Sequence, residues 1–130
     1  MATLFLLFSH QLTLAQQQDA RQNLNVERFV SLPTDLQRLF SNIPPDLERL
    51  ETYLSPIIQW IDDNCTQWED YMLIQGDFGA TYYLVNYCRS FNYACPVYAT
   101  TRREVINEVN QEGAVEVKKV FRHVRFREYE

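Results

Sequence analysis

The sequence predicts one α/β domain of the Rossmann-like class over residues 1–130, with a mostly parallel sheet flanked by helices and a C-terminal strand or hairpin. Its length of 130 residues suits a single domain, and its 46% hydrophobic content is ample for a core. Short apolar runs alternate with helical patterns along most of the chain, which indicates parallel strands joined by right-handed crossovers. The tail instead alternates with a period of two residues, which is typical of a strand.

The first part of the chain contains two predicted strand–helix units. Residues 3–8 form a continuous apolar run, as expected for a central parallel strand that is covered on both faces. Thr13 is placed to cap the helix that follows, which is rich in good helix formers. Residues 27–33 predict a second strand, and residues 34–41 predict a second short helix.

The clearest amphipathic segment follows the Pro44–Pro45 pair. Leucine and isoleucine residues recur at helical spacing from Leu47 to Ile61, with acidic side chains on the other faces. Pro56 interrupts this pattern, and proline removes a helical hydrogen bond. We therefore expect a kink or two abutting helices, with Ser55 capping the second.

The second half predicts, in order, a strand at 70–76, a helix at 80–91 and a strand at 94–101. Residues 103–109 fit either a strand or a short helix. Residues 111–113 form a turn signal before the tail strand.

The tail strand changes its apolar face part-way along. Valines at odd positions are followed by apolar residues at even positions, so we expect a bulge or bend near Lys118–Lys119. This pattern puts Arg122 on the apolar face with Phe126, where an arginine needs either an internal carboxylate or an anionic ligand. The other face carries His123, Arg125 and Arg127.

The charge balance limits the size of any nucleic-acid partner. The formal net charge is −5, and a net acidic protein is not expected to hold long DNA or RNA by bulk charge. Residues 1–101 have five basic and 11 acidic side chains, whereas residues 102–130 have seven basic and six acidic ones. A local basic pocket could therefore still hold a ring of a few phosphates.

Neither the cysteines nor the histidines indicate a metal or a cofactor. Cys65, Cys88 and Cys95 form no CxxC pair, so the sequence suggests neither a disulfide framework nor a zinc site. His10 and His123 are far apart and belong to no HxH or HExxH motif. We expect no cofactor, and any catalysis is expected to be metal-independent.

The N-terminus has only part of a secretory signal. It lacks a basic n-region, and polar residues interrupt its apolar run after Phe8. The run is shorter than a signal or a membrane span requires. A buried first strand explains it better, and we expect a cytoplasmic protein with no membrane partner.

Polar and cationic side chains follow three of the predicted strands. Ligands of open α/β sheets bind beyond the carboxyl ends of the strands, so these residues are candidate ligand contacts. The alternative is that they only cap helices and turns. They are Ser9 and His10 after the first strand, Gln75, Gly76 and Asp77 with Gly79 after the third, and Thr100, Thr101, Arg102 and Arg103 after the fourth.

The glycine-containing turn is a weaker signal than the arginine pair. Gly76 and Gly79 let the backbone approach a ligand, but the turn has neither the GxGxxG nor the P-loop spacing. Asp77 is favoured as a helix cap over a general base. Arg102 and Arg103 can donate several hydrogen bonds to phosphate oxygens, although paired arginines are also common on surface loops.

The basic tail adds two candidates. Arg122 is a candidate phosphate ligand, and His123 could transfer a proton near neutral pH, although a lone histidine in a strand is more often structural. His10, Arg102 and His123 form the predicted catalytic set. One metal-independent reaction fits it: a ribose 2′-OH attacks the adjacent phosphodiester, and the site aligns that hydroxyl and stabilises the charge on phosphorus.

Four segments together resemble the small Csx-type CRISPR-associated proteins, a standalone set that accompanies type III CRISPR systems. They span the chain: LFLLFSH at 4–10, LIQGDFGATY at 73–82, VYATTRREV at 97–105 and VFRHVRFREY at 120–129. The resemblance implies a Rossmann-like domain related to the CARF sensors, acting as a homodimer. It also implies a cyclic oligoadenylate ligand, with the tetramer favoured. In several members it implies a ring nuclease that destroys this second messenger and so switches off the antiviral response.

The resemblance carries over to residues only in part. It implies that Ser9 and His10 meet the ring, that residues 100–103 face phosphates, and that Gln75 and Asp77 lie in the matching loop. It assigns no catalytic role to any single residue, and His123 is a candidate from the basic tail alone.

The leading expectation is a ring nuclease that cleaves cyclic tetraadenylate to linear oligoadenylates with 2′,3′-cyclic phosphate ends. The alternative is a non-catalytic sponge or regulatory sensor that binds the ring. A third class is an interaction domain with no nucleotide ligand.

Overall fold

The chain folds into five strands and four helices in the computed structural model, which describes residues 1–65 and 68–130. The strands are β1 (Ala2–Phe8), β2 (Val26–Ser31), β3 (Tyr71–Gln75), β4 (Cys95–Val109) and β5 (Val115–Glu128). The helices are α1 (Leu14–Asn23), α2 (Thr34–Ser41), α3 (Glu51–Asn64) and α4 (Phe78–Phe91).

The strands form one sheet in the order β2-β1-β3-β4-β5. The first four strands are parallel to their neighbours, and β5 runs antiparallel to β4. In the pairing of β1 with β3, Phe8 lies opposite Gln75, so the loops after these two strands start side by side. The predicted α/β class, with a mostly parallel sheet and a C-terminal hairpin, is confirmed.

Helices cover the two faces of the sheet unequally. Alternate side chains of β1 point to opposite faces, which places Leu4 on the face covered by α1 and Leu7 on the other. The face opposite α1 holds the larger core cluster, to which α2, α3 and α4 all contribute. The smaller cluster includes Ala20 of α1 together with Val97 and Phe126.

Local sequence signals explain the start of α1. The Thr13 side chain accepts a hydrogen bond from the Gln16 backbone N–H, and the Gln16 side chain accepts one from the Thr13 N–H. This reciprocal capping box confirms the predicted cap.

Pro56 lies inside α3 rather than between two helices. The Ser55 hydroxyl caps no second helix; it donates to the Thr52 carbonyl oxygen at 2.8 Å. In a regular helix that carbonyl would accept from the N–H of residue 56, which proline lacks. The expectation of two abutting helices was therefore wrong, because a neighbouring hydroxyl replaces the missing donor.

The tail departs from the sequence prediction in two ways. Residues 100–103 do not lie at a strand end, because β4 continues through Val109 before the predicted turn. The bulge lies at Val124, between the pairs Thr100–Arg125 and Thr101–His123, rather than near Lys118–Lys119.

The position of the bulge decides which side chains share a face. His123 and Phe126 lie on the same face, with ring centroids 4.8 Å apart, and Arg122 lies on the opposite face. The predicted grouping of Arg122 with Phe126 was wrong, because an extra residue reverses the alternation of side chains along a strand.

Beyond the bulge the β4–β5 hairpin leaves the rest of the fold. Pairing of β3 with β4 ends at Leu73–Val97. In the described part of the chain, the later residues of β4 pair only with β5. We call residues 101–123 the arm and the remaining described residues the body.

Candidate functional site

Ser9 and His10 lie in a cleft at the carboxyl ends of β1 and β2, which we call the polar cleft. Its volume is about 580 Å³, and Phe8 and Phe29 contribute apolar wall. The His10 ring is exposed and packs edge-on against Phe8, with ring centroids 5.4 Å apart. The His10 side chain is therefore accessible to a ligand or to solvent. The polar lining consists of Ser9, His10, Gln11, Gln17, Ser31, Thr34 and Gln37.

Helix α2 holds one side of the polar cleft. The Gln37 side-chain amide donates to the Phe8 carbonyl oxygen, and the Ser41 hydroxyl donates to the Ser9 hydroxyl oxygen at 3.1 Å. The capping box fixes the other end of the loop at Thr13. Hydrogen bonds within the chain therefore hold the loop that carries Ser9 and His10 at both of its ends.

A second cavity, which we call the aromatic groove, lies between α4 and the chain around β4 and the C-terminus. Its volume is about 520 Å³. Phe78 is 95% exposed and Tyr82, one helical turn later, is 72% exposed. Four aromatic residues, Phe78, Tyr82, Tyr98 and Tyr129, line it together with the polar residues Gln75, Thr81, Asn86, Arg89 and Glu130.

Hydrogen bonds fix two of these rings. The Tyr129 hydroxyl donates to the Ile74 carbonyl oxygen at 2.6 Å. The Arg127 guanidinium donates to the Tyr98 hydroxyl at 3.0 Å and lies 5.5 Å from the centre of that ring. The groove therefore combines rigid aromatic surface with a nearby cation.

Two side chains of the turn after β3, those of Gln75 and Asp77, have structural roles in this fold. The Gln75 side-chain oxygen accepts from the Ala99 N–H at 2.7 Å and so links β3 to β4 just beyond their ladder. Asp77 is the N-cap of α4 and accepts from the Ala80 N–H at 3.0 Å, as the cap interpretation predicted.

The two glycines of this turn are explained by packing. A Cβ at Gly76 would lie 2.7 Å from the Phe40 ring, and one at Gly79 would lie 3.3 Å from a Leu50 methyl. Both positions are therefore crowded by the protein itself. Gly76 does line the aromatic groove, so its backbone also borders the candidate site.

The predicted cluster at 100–103 runs outward along the arm. The Thr100 hydroxyl donates to the Arg125 carbonyl oxygen at 3.0 Å and accepts from the Arg125 N–H. These two hydrogen bonds to the backbone of β5 hold the hydroxyl at the bulge. Thr101, Arg102 and Arg103 are exposed and alternate between the two faces of the arm. Neither cavity is lined by any of them.

The two tail candidates have partners within the chain. Arg122 is exposed and pairs with the Glu104 carboxylate. The His123 side chain is only 5% exposed, and its Nε2 lies 2.6 Å from an Asp19 carboxylate oxygen. Its Nδ1 is buried, with no hydrogen-bond partner in the described part of the chain. This placement favours a structural role for His123 over proton transfer.

The sequence of this chain matches the model of a protein family. Residues 2–127 match the Uncharacterized protein MJ1673 family. This protein belongs to the MJ1673 family. It is 46% identical to a relative from Methanocaldococcus jannaschii, "Uncharacterized protein MJ1673", over 129 residues that cover 99% of this chain and 98% of the relative. No solved structure matches the chain.

In this MJ1673-family fold the pair of Asp19 and His123 lies outside the polar cleft and the aromatic groove. Burial raises the pKa of Asp19, but hydrogen bonds from Asn23, His123 and the Phe126 N–H, together with the charge of His123, outweigh burial. The net effect is a pKa below the ordinary carboxyl value. The pair therefore ties α1 to the base of the arm.

The three thiols of this MJ1673-family member are poor nucleophiles. Burial raises the pKa of Cys88 to about 12, and burial with nearby acidic groups raises that of Cys65 to about 12. Burial and Glu128 raise the pKa of Cys95 to about 11. Because the thiolate is the reactive form, these cysteines suit packing rather than catalysis.

Sequence reasoning missed the aromatic groove. Phe78 and Tyr82 are spaced one helical turn apart, with Asn86 and Arg89 continuing along the same stripe of α4. An aromatic stripe on a helix usually packs in a core, so this spacing alone does not indicate an exposed site. Only the fold shows that the stripe lies open.

Neither a metal cluster nor a membrane helix appears in the described part of this MJ1673-family chain. Across residues 1–65 and 68–130, no group of three or more His, Cys, Asp or Glu side chains is arranged to hold a metal ion. None of the described helices is both long enough and apolar enough to cross a membrane.

Proposed function

We propose that this MJ1673-family protein binds cyclic tetraadenylate as a cytoplasmic homodimer and cleaves it as a metal-independent ring nuclease of type III CRISPR defence. The observation that carries this proposal is the aromatic groove, which lies beside the carboxyl end of β3 and the part of β4 around Tyr98. It combines exposed rings, side-chain amides and cations, which is the set of groups that single nucleotides require.

The groove suits an adenine base. Its volume of about 520 Å³ is in the usual range for small-ligand sites. Phe78 and Tyr82 offer stacking surfaces, and the amide of Asn86 can pair with the N6 and N7 edge of adenine. Glu130 lines the same groove, and its carboxylate favours the amino group of the base over a phosphate.

The polar cleft supplies a candidate for the chemistry. His10 is exposed beside Ser9, and imidazole can accept and return a proton near neutral pH. In the proposed step the 2′-OH gives its proton to His10 and the O2′–P bond forms. The P–O5′ bond breaks, and the leaving O5′ takes up a proton. The products are a 2′,3′-cyclic phosphate and a 5′-OH.

The arginines of the arm enter this mechanism only through a second subunit. Arg102 and Arg103 line neither cavity of their own chain. A ring with four equivalent units can present the same half to each subunit of a two-fold dimer. A phosphate contact by Arg102 therefore requires that one subunit's arm reach the ring held by the other.

The alternative, a sponge that binds the ring without cleaving it, has one observation in its favour. Among the described residues that line the polar cleft there is no lysine or arginine. In this chain alone, the predicted catalytic residues therefore do not converge on one phosphate.

Binding is tested with radiolabelled cyclic tetraadenylate and the Tyr82→Ala variant. Stacking on an aromatic side chain is worth about 1–3 kcal/mol per base, so we expect at least a fivefold loss of affinity. The matched control is Phe91→Ala, which removes an exposed ring from the same helix outside the groove. No binding by the wild-type protein would overturn both the nuclease and the sponge, and would favour the interaction domain.

Cleavage is tested under single-turnover conditions with EDTA present. Replacing His10 with glutamine should slow cleavage about 100-fold and leave the affinity almost unchanged, because general base catalysis acts on the rate. Gln18→Ala, an exposed change on α1, is the control. A ring that stays intact while bound tightly would support the sponge instead.

A further inference from the structure

One face of the arm is apolar and uncovered. Cross-strand pairing places five apolar side chains on that face, each 62–71% exposed. It is the face that α1 covers in the body, and α1 reaches only as far as His123. The five residues are Val105, Val109, Val115, Val117 and Phe121.

The opposite face of the arm has a different character. There Lys118 pairs with Glu108 at 2.9 Å, and Arg122 pairs with Glu104. Two ion pairs therefore link the strands on this face, and its apolar residues, Ile106 and Val120, are half-buried. The asymmetry between the two faces marks the apolar one as a contact surface.

Physical arguments indicate that something covers the apolar face. A two-stranded hairpin is at best marginally stable alone in water. At the observed exposures, the five side chains present on the order of 500 Å² of apolar surface, towards the upper end of the roughly 300–600 Å² of the largest patch on a typical monomer, and such patches are often functional.

We propose that a second copy of this chain covers the apolar face of the arm, with each arm lying on the body of the other subunit. The charges of the two surfaces are complementary. The apolar face carries Arg103 and Lys119 and no acidic residue, whereas the body has 13 acidic and seven basic side chains. Two arms docked in this way would bury about 2,000 Å² in total, enough for a stable dimer.

The proposal rests on the homodimer of the proposed function and names its interface, but it is tested separately from the nucleotide chemistry, because it predicts an assembly in the absence of any ligand. Sedimentation velocity of the wild-type protein between 1 and 100 μM, an order-of-magnitude range around common dimer affinities, should show a dimer. Val117→Lys should weaken the dimer at least 100-fold. Glu116→Lys places the same side chain on the adjacent residue and opposite face, and should leave the dimer intact.

A second matched pair tests the charges. Lys119→Glu lies on the apolar face and should weaken the dimer about tenfold, whereas Lys118→Glu on the other face should have little effect. Circular dichroism of each variant checks that the body remains folded.

A wild-type protein that is monomeric throughout, or a Val117→Lys variant that dimerises like the wild type, would overturn the proposal. So would a monomer that instead sediments with anionic lipid vesicles through the same face, because the occupant would then be a membrane.

Discussion

The body and the arm share one β4–β5 ladder but are packed in opposite ways. Val97, in the body part of β4, is 1% exposed, whereas Val105, eight residues later in the same strand, is 62% exposed. The residue type and the strand are the same. What differs is that Val97 packs in the cluster that also contains Ala20 of α1 and Phe126 of β5, whereas nothing in the described part of the chain covers Val105.

This difference shows where the stability of the monomer resides. The body buries two apolar clusters against helices on both faces of its sheet. The arm relies on cross-strand pairs, two ion pairs and, in our proposal, a second subunit. The bulge at Val124 and the pair of Asp19 and His123 lie at the boundary between the body and the arm.

The largest effect is expected at this boundary. Asp19→Asn should lower the free energy of unfolding by about 3 kcal/mol, because it removes the carboxylate that lies 2.6 Å from the buried Nε2 of His123. Urea denaturation measures the change. Asp63→Asn, an exposed control that accepts a hydrogen bond from Gln59, should stay within about 0.5 kcal/mol.

The same variant should show a defined pH dependence. The lowered pKa of Asp19 means that its carboxylate stabilises the fold above the ordinary carboxyl pKa of about 4, and that this contribution disappears as the pH falls through the lowered value. The gap in the free energy of unfolding between the wild type and Asp19→Asn should therefore narrow as the pH falls below the ordinary carboxyl pKa of about 4. A gap that grows on acidification would contradict the assignment.

The next largest effect is expected from a comparison of two valines of β4, one in the body and one in the arm. Val97→Ala removes buried methyl groups and should cost about 2–3 kcal/mol, whereas Val105→Ala should cost less than about 0.5 kcal/mol at concentrations where the protein is monomeric. Thermal unfolding at several protein concentrations checks this. A large cost at Val105 in a dilute monomer would show that the body covers the arm after all.

The difference in stability cost between body and arm is smaller for glycine substitutions. Gly76→Ala should cost about 2 kcal/mol, because the new Cβ meets the Phe40 ring, and the cost should fall in the double variant with Phe40→Leu. Gly113→Ala, at the tip of the arm, meets no atom within 4 Å but has a φ of +82°. It should cost only about 1 kcal/mol, from backbone strain. Additive effects of Gly76→Ala and Phe40→Leu would refute the packing explanation.

The smallest effect is expected on the outer face of the arm. Lys118→Ala breaks the ion pair with Glu108, but both side chains are about half exposed, so the loss should be below about 0.5 kcal/mol and should vanish in high salt. Chemical denaturation at two ionic strengths measures it. A loss above 1 kcal/mol would indicate that this face is also covered.

Much of the body was predictable because its signals are local. The apolar run of residues 3–8, the cap at Thr13, the helix at 34–41 and the cap at Asp77 all follow from neighbouring residues, and all are confirmed. Pro56 misled the prediction because the Ser55 hydroxyl replaces the missing N–H donor. The sequence does not show which rotamer the Ser55 side chain adopts, so this hydrogen bond could not be predicted from it.

The candidate site was predictable only in part. Ser9 and His10, which follow a predicted strand, line one cavity, and Gln75 and Gly76, which follow another, line a second. Arg102 and Arg103 were wrongly predicted to follow the end of a strand. No local sequence signal shows that β4 continues beyond the end of its neighbour β3. The exposed rings of Phe78 and Tyr82 went unnoticed because exposure is a property of the assembled fold.

The sequence by itself determined the order of strands and helices, their faces within the body and the concentration of basic residues in the last 29 positions, since each depends on spacing along the chain. The tertiary structure alone decided where β4 leaves the sheet, which residue forms the bulge and which apolar face stays uncovered. These features depend on pairings between residues far apart in sequence, such as Thr101 with His123 and His123 with Asp19. A one-residue shift in such a pairing exchanges the two faces of a strand.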